Sequence, residues 1–235
     1  MKKRAPQKTT NHLEQDLTIP VIAIDGGAGT GKGTVRRLVA QRLGFINFDS
    51  GVLYRALALK AKKIGVPHTE EAVLIELAGT LNVTTEGETI FLDGVDETLT
   101  IRSDDIGKLS SVVSKIQGVR DQFHRLQLSM RRHPGLVADG RDMGYIFETP
   151  HRFFFVTAPE ERARRRVKQF REMNIEADYE AILDEIQRRD YQDTTRTIRP
   201  LIPHPQAKII DTTNDPADVI AEIIIEHYQR SKLDH

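Results

Sequence analysis

The sequence predicts an α/β fold in which a parallel five-stranded sheet is covered by helices on both faces. Three observations carry that prediction. Five short apolar runs are joined by segments of helical periodicity, the pattern of strands that return in parallel through crossover helices. A glycine-rich loop sits between the first strand and the first helix. The alternation is interrupted once, near residues 82–92, by a hairpin pattern that implies an inserted lobe.

Pro20-Val21-Ile22-Ala23-Ile24-Asp25 is an apolar, β-branched run closed by glycines, and it reads as a buried strand. From Lys32 to Leu43 the apolar residues Val35, Leu38, Val39 and Leu43 follow helical spacing, and Gly44 stands where a helix stops. Phe45-Ile46-Asn47-Phe48 reads as a second strand, after which Asp49-Ser50 opens a helix to about Ile64. A helical piece over 70–81 then precedes Asn82–Thr85 and Thr89–Leu92, a hairpin with its turn at Glu86-Gly87. The inserted lobe is assigned to about 66–115. Alternation resumes with strands at Leu136–Asp139 and Arg152–Val156, helices from Pro159 to about Met173 and from Tyr179 to about Tyr191, a strand at Lys208–Asp211 and a helix from Pro216 to about Tyr228.

Composition narrows the function. Lys plus Arg and Asp plus Glu both number 34, so overall charge does not point to a nucleic-acid or membrane partner. With no cysteine, disulfides and thiolate metal sites are excluded, which fits a reducing compartment. No apolar run approaches the roughly 18 residues a membrane span needs. Residues 1–18 begin with a basic stretch but lack an apolar core, so they read as a flexible tail, not a secretory signal. The remaining 19–235 fit one domain.

Gly26-Gly27-Ala28-Gly29-Thr30-Gly31-Lys32-Gly33-Thr34 follows a strand and opens a helix, as a phosphate-binding loop must. Glycines let consecutive N–H groups turn inward around phosphate oxygens, and the helix N-terminus adds a favourable dipole. Lys32 supplies a mobile charge, and the hydroxyl of Thr34 can complete a Mg2+ shell. Gly33 separates that hydroxyl from Lys32, and the run Gly-Lys-Gly-Thr resembles the nucleoside monophosphate kinases. A GTPase reading fails because Asp104-Asp105-Ile106-Gly107 is followed by no guanine-reading Asn-Lys-x-Asp segment.

Phosphoryl transfer between two anions needs several cations, and arginine grips phosphate bidentately. Arg55 lies one turn into the helix after Asp49, Arg141 follows Asp139-Gly140, and Arg188, Arg189, Arg196 and Arg199 cluster around an expected helix break near Asp193. Asp139 at a strand end has two readings, a holder of a Mg2+-bound water or a helix cap, and its neighbours Arg141-Asp142 favour the first. Arg162 and Arg166 also have two readings, a solvated face paired with Glu160 and Glu161 or a lid over the triphosphate.

Taken in order, Gly31–Thr34, Asp49-Ser50-Gly51-x-x-Tyr54-Arg55, Ala138-Asp139-Gly140-Arg141-Asp142-Met143-Gly144 and Arg189-Asp190-x-x-Asp193 resemble bacterial cytidylate kinases over about residues 19–230. The resemblance implies transfer of the γ-phosphoryl of ATP to CMP or dCMP with Mg2+, in a cytoplasmic monomer whose partners are nucleotides. It implies a monophosphate-binding lobe and a lid over about 159–195. It assigns Ser50, Tyr54 and Arg55 to the acceptor site, with Arg141 and Arg196 completing the grip on the acceptor phosphate. Ser111 and Arg120 match positions at the cytosine edge with Asp142 nearby, and Arg189 and Asp193 match positions at the sugar. Two departures stand out. Gly26-Gly27 replaces a frequent Gly-Pro, and Tyr191-Gln192 and Thr194-Thr195 replace more charged residues. A kinase for another small acceptor and a nucleotide-driven switch are the competing readings.

Overall fold

The apolar runs at the centre of the chain's sheet are buried on both faces, which requires helices on both sides, whereas the edge strand at 208–211 leaves Ile209 exposed. A computed structural model describes residues 15–172 and 176–233 of the chain; residues 1–14 of the expected tail and Met173 lie outside the described residues. The strands are β1 (Val21–Gly26), β2 (Ile46–Asp49), β6 (Leu136–Gly140), β7 (His151–Val156) and β8 (Lys208–Asp211), all parallel in the order β2-β6-β1-β7-β8.

Alternation along β1 divides the core. Val21 and Ala23 face α2 (Ser50–Lys63), α3 (Glu71–Gly79), α5 (Asp104–Val113) and α6 (Gln117–Ser129), while Ile22 and Ile24 face α1 (Lys32–Leu43) and α10 (Ala217–Leu233). Gly44 ends α1 at φ 67°, where its N–H returns to the carbonyl of Ala40. Asp49 caps α2 by accepting from the N–H of Gly51.

Between α3 and α5 the chain forms a three-stranded antiparallel sheet, β3 (Val83–Glu86), β4 (Thr89–Leu92) and β5 (Val95–Asp96), followed by α4 (Thr98–Arg102). The expected hairpin forms, with Glu86 opposite Thr89, so its loop is Gly87-Glu88, one residue later than predicted. The two-residue β5 was not predicted. Nor were α4 and α6, nor the one-turn α7 (Met143–Ile146) behind Arg141-Asp142. The last helices before β8 are α8 (Pro159–Glu172) and α9 (Tyr179–Thr195). The helix break expected near Asp193 falls at Arg196 instead; α9 runs through Thr194 and Thr195, whose hydroxyls donate to carbonyls one turn back.

Candidate active site

The loop from β1 to α1 owes its shape to its glycines. A Cβ on Gly26 would approach the carbonyl oxygen of Phe155 on β7 to 2.5 Å, and Gly29 and Gly31 adopt φ 75° and 86°. Within it, Thr30 Oγ1 donates to the carbonyl of Gly27 at 3.0 Å, and Lys32 Nζ donates to the same carbonyl at 2.6 Å. Burial pushes the Lys32 ammonium down to about 8, with Arg141 acting in the same direction. Gly33 leaves open space where a Cβ would stand, and Thr34 is exposed on the first turn of α1. Ala28, Gly29, Gly31, Lys32 and Thr34 line a cleft of about 650 Å³ that is closed on its far side by Arg162, Arg166 and Arg189 of α8 and α9.

A second group of predicted residues collects behind the loop. Ser50, Tyr54 and Arg55 share α2, whose N-terminus abuts the end of β6: a Cβ on Gly140 would come within 2.4 Å of Ser50 Oγ. Arg55 spans to the α4–α5 junction, donating to the carbonyls of Ile101 and Ser103 at 2.9 and 3.2 Å. Arg120 of α6 is buried, donates to Asp142 Oδ2 at 3.0 Å and lies 5.6 Å from the centroid of the Tyr54 ring. Burial pushes the Tyr54 phenol up to about 12. Tyr54, Arg120 and Asp142 are therefore one contact group. Ser111 is not joined to it by a hydrogen bond; its hydroxyl donates to Gly107 on its own helix at 3.2 Å.

Most of the remaining arginines meet at α9. Arg141 pairs with Asp193, and Arg196 Nη1 lies 3.7 Å from the same carboxylate while its Nε donates to the carbonyl of Arg199. Arg162 pairs with Asp190 and also donates to the carbonyl of Ala28 in the loop at 3.1 Å, which ties α8 to the phosphate-binding loop. Arg166 pairs with Asp104 at the start of α5. Burial holds the pKa of Arg55, Arg141, Arg189 and Arg196 below the ordinary guanidinium value. Arg162 Nε, Arg189 Nε and Arg196 Nη2 are buried without a hydrogen-bond partner among the described residues.

Asp139 stands at the end of β6, but its Oδ1 is bonded by Arg36 of α1, a residue whose role the sequence does not announce. Its carboxyl is raised above the usual range, first by burial and then by the neighbouring Asp49. Asp25 is a second functional residue absent from the sequence-based expectations. Its two carboxylate oxygens accept the N–H groups of Met143 and Gly144 at 2.8 and 2.7 Å, which anchors α7 and the Arg141-Asp142 segment. Burial pushes Asp25 up to about 7. A polar residue closing an otherwise apolar strand was the available signal for Asp25; for Arg36, it was an arginine one turn beyond Lys32 on the helix face that bears buried Val35 and Val39.

Comparison with known proteins agrees with this geometry. The family model described as cytidylate kinase matches residues 22–230. A protein named cytidylate kinase from Symbiobacterium thermophilum is 44% identical over 90% of this chain and 96% of its own length. Those of the same name from Pseudomonas aeruginosa (strain UCBPP-PA14) and Cupriavidus necator are 41% and 39% identical, each over 92% of this chain and 98% of their own length. With the phosphate-binding loop, the arginine cluster and these matches in agreement, the chain belongs to the cytidylate kinase family.

Proposed function

We propose that this chain carries out ATP-dependent phosphorylation of CMP and dCMP with the loop 26–34 holding the donor and the arginines behind it holding the acceptor. The reaction on CMP, a step of pyrimidine metabolism, follows from family membership. Among the described residues, buried nitrogens of Arg162, Arg189 and Arg196 lack acceptors, and this observation carries the assignment of residues. Buried cations need acceptors, which phosphate oxygens would supply to Arg162 and Arg196 and a sugar hydroxyl to Arg189.

In this assignment Lys32, Arg162 and Arg166 neutralise the donor phosphates, with Arg162 already tied to the loop at Ala28. Ser50, Arg55, Arg141 and Arg196 grip the acceptor phosphate. Tyr54, Ser111, Arg120 and Asp142 meet the base, and Arg189 and Asp193 meet the sugar. The acceptor is already an oxyanion, so no strong general base is required; alignment and charge neutralisation supply the rate. Segments 66–115 and 159–195 act as acceptor lobe and lid, a reading supported by the ion pairs Arg166–Asp104 and Lys108–Glu185 across them. Closing them over the cleft excludes water and limits hydrolysis of ATP.

The donor set also fits Mg2+. No group of three or more His, Asp or Glu residues among the described residues forms a cage, whereas Mg2+ in kinases is held by few protein oxygens together with substrate phosphates. Thr34 and Asp139 would be those oxygens, and the ion would neutralise charge on the transferring group. Chelating divalent cations should abolish transfer, and Asp139→Asn should raise the Mg2+ needed for half-maximal rate. No helix of the described residues is long and apolar enough to cross a membrane. We assign the chain to the cytoplasm as a monomer with nucleotides as its only partners, on the strength of its family.

Arg55→Gln tests the acceptor assignment. The variant should raise KM for CMP about 10-fold to 100-fold while KM for ATP stays within about twofold, the signature of losing one charge-assisted phosphate contact. An unchanged KM for CMP in the folded variant would remove Arg55 from the acceptor site.

A further inference from the structure

Lys32 and Arg36 lie four residues apart on α1 and so share one helix face. Their partners differ. Lys32 Nζ stays within the loop, on the Gly27 carbonyl and Thr30 Oγ1. The Arg36 guanidinium, almost wholly buried, reaches across to the carboxyl ends of two neighbouring strands. Its Nε donates to Asn47 Oδ1 of β2 at 2.6 Å, and its Nη1 bonds Asp139 of β6 and lies 3.2 Å from Asp49 Oδ2.

Asp49 and Asp139 are register partners in adjacent parallel strands, so two carboxylates stand side by side there. Arg36 is the cation between them. Asp49 in turn caps α2 by accepting from Gly51, and α2 carries Ser50, Tyr54 and Arg55. One planar side chain thus joins the helix that bears Lys32 to the start of the helix that bears the acceptor-site residues. Lysine cannot substitute for it, because a single ammonium lacks the fork that meets an amide and two carboxylates together.

We propose that Arg36 is a positioning residue for phosphoryl transfer, fixing Asp139 and the Asp49-capped start of α2 against α1 so that donor and acceptor phosphates are held in line. The proposal rests on the kinase assignment above. It is distinct from a stabilising role, which would lower Tm and leave turnover intact below the melting temperature.

The experiment compares Arg36→Lys and Asn47→Ala with the parent protein by CMP-dependent ADP release, with thermal melts recorded for each. Folded Arg36→Lys should lose about 10-fold to 100-fold in kcat, with KM for ATP moving less than about threefold, because misaligned but bound substrates react slowly. Asn47→Ala, which removes only the bond to Nε, should lose about three-fold to ten-fold in kcat in the same pattern. A kcat within twofold of the parent for folded Arg36→Lys overturns the proposal, and so does a lowered Tm with kcat intact. Should Arg36→Lys melt below the assay temperature, Asn47→Ala decides by the same readout. A parent without CMP-dependent ADP release overturns the kinase assignment and this proposal together, whereas an active parent matched by its variants overturns this proposal alone.

Discussion

At the end of β6 there is no room for even one methyl group between the strand and α2. A Cβ on Gly140 would lie 2.4 Å from Ser50 Oγ and 3.0 Å from Met143 Cγ, so Gly140→Ala must push Ser50 and the start of α2 aside. That overpacking should cost about 1–3 kcal/mol of stability and raise KM for CMP more than KM for ATP, as thermal melts and steady-state kinetics would report. Lys32→Ala should fold and lose about 100-fold to 1000-fold in kcat, the scale of deleting one preorganised charge contact; near-normal turnover would remove Lys32 from catalysis. The strand–loop–helix setting of residues 26–34 was legible in the sequence because glycines, a lysine and a hydroxyl stand at fixed spacing between an apolar run and a helical pattern. The proposed base-edge roles of Arg120, Asp142 and Ser111 rest on likeness to a family, since nothing in their local pattern marks such an edge. Asp25 and Arg36 carry only weak local signals, and their bonds to Met143 and Asp139, 118 and 103 residues away, are set by the fold and not by local pattern.

Elements differ in how far their own residues specify them. The strands of the large sheet were legible because β-branched and aromatic runs bounded by glycine or proline have few alternatives. The helices of the interrupted region were harder. On α5 the buried residues Ile106, Gly107, Ser110 and Val113 do follow helical spacing behind the Ser103 cap, but two of the four are not hydrophobic signals. On α6 two of the four buried positions are Arg120 and Gln127, so the apolar stripe that would have announced the helix is broken by polar residues. Strand β5 has only two residues, too few for any alternation to show. Where the local signal is strong, it can be tested locally. Gly44 ends α1 in a left-handed conformation, and a Cβ added there would meet nothing within 4 Å, so Gly44→Ala carries backbone strain without a clash. The expected loss is about 1 kcal/mol in denaturant unfolding with kcat unchanged.

Across the whole molecule, the substrate-facing end of the sheet gathers charge, while the opposite end buries a histidine. His151 begins β7 beside Tyr228 and His227 of α10, and burial, with His227 and Lys232 adding to it, lowers its pKa from 6.5 to about 4. Between those values the unfolded chain takes up a proton that the folded chain refuses, so this contribution to stability is full above pH 6.5 and lost as pH falls toward 4. His151→Phe should therefore melt with a shallower loss of Tm than the parent as pH falls through that window; parallel curves would contradict the assignment. At the other end, the parallel strands of the large sheet share one direction, toward the loop 26–34 and the cleft it lines; in the proposed assignment that shared direction lets one fold hold two phosphates. The central claim is that this arrangement serves cytidine monophosphate. It is tested most directly by a coupled ADP-release assay with CMP, dCMP, UMP, AMP and GMP as acceptors: CMP and dCMP should give the highest kcat/KM, and a higher value for AMP or GMP would contradict the account.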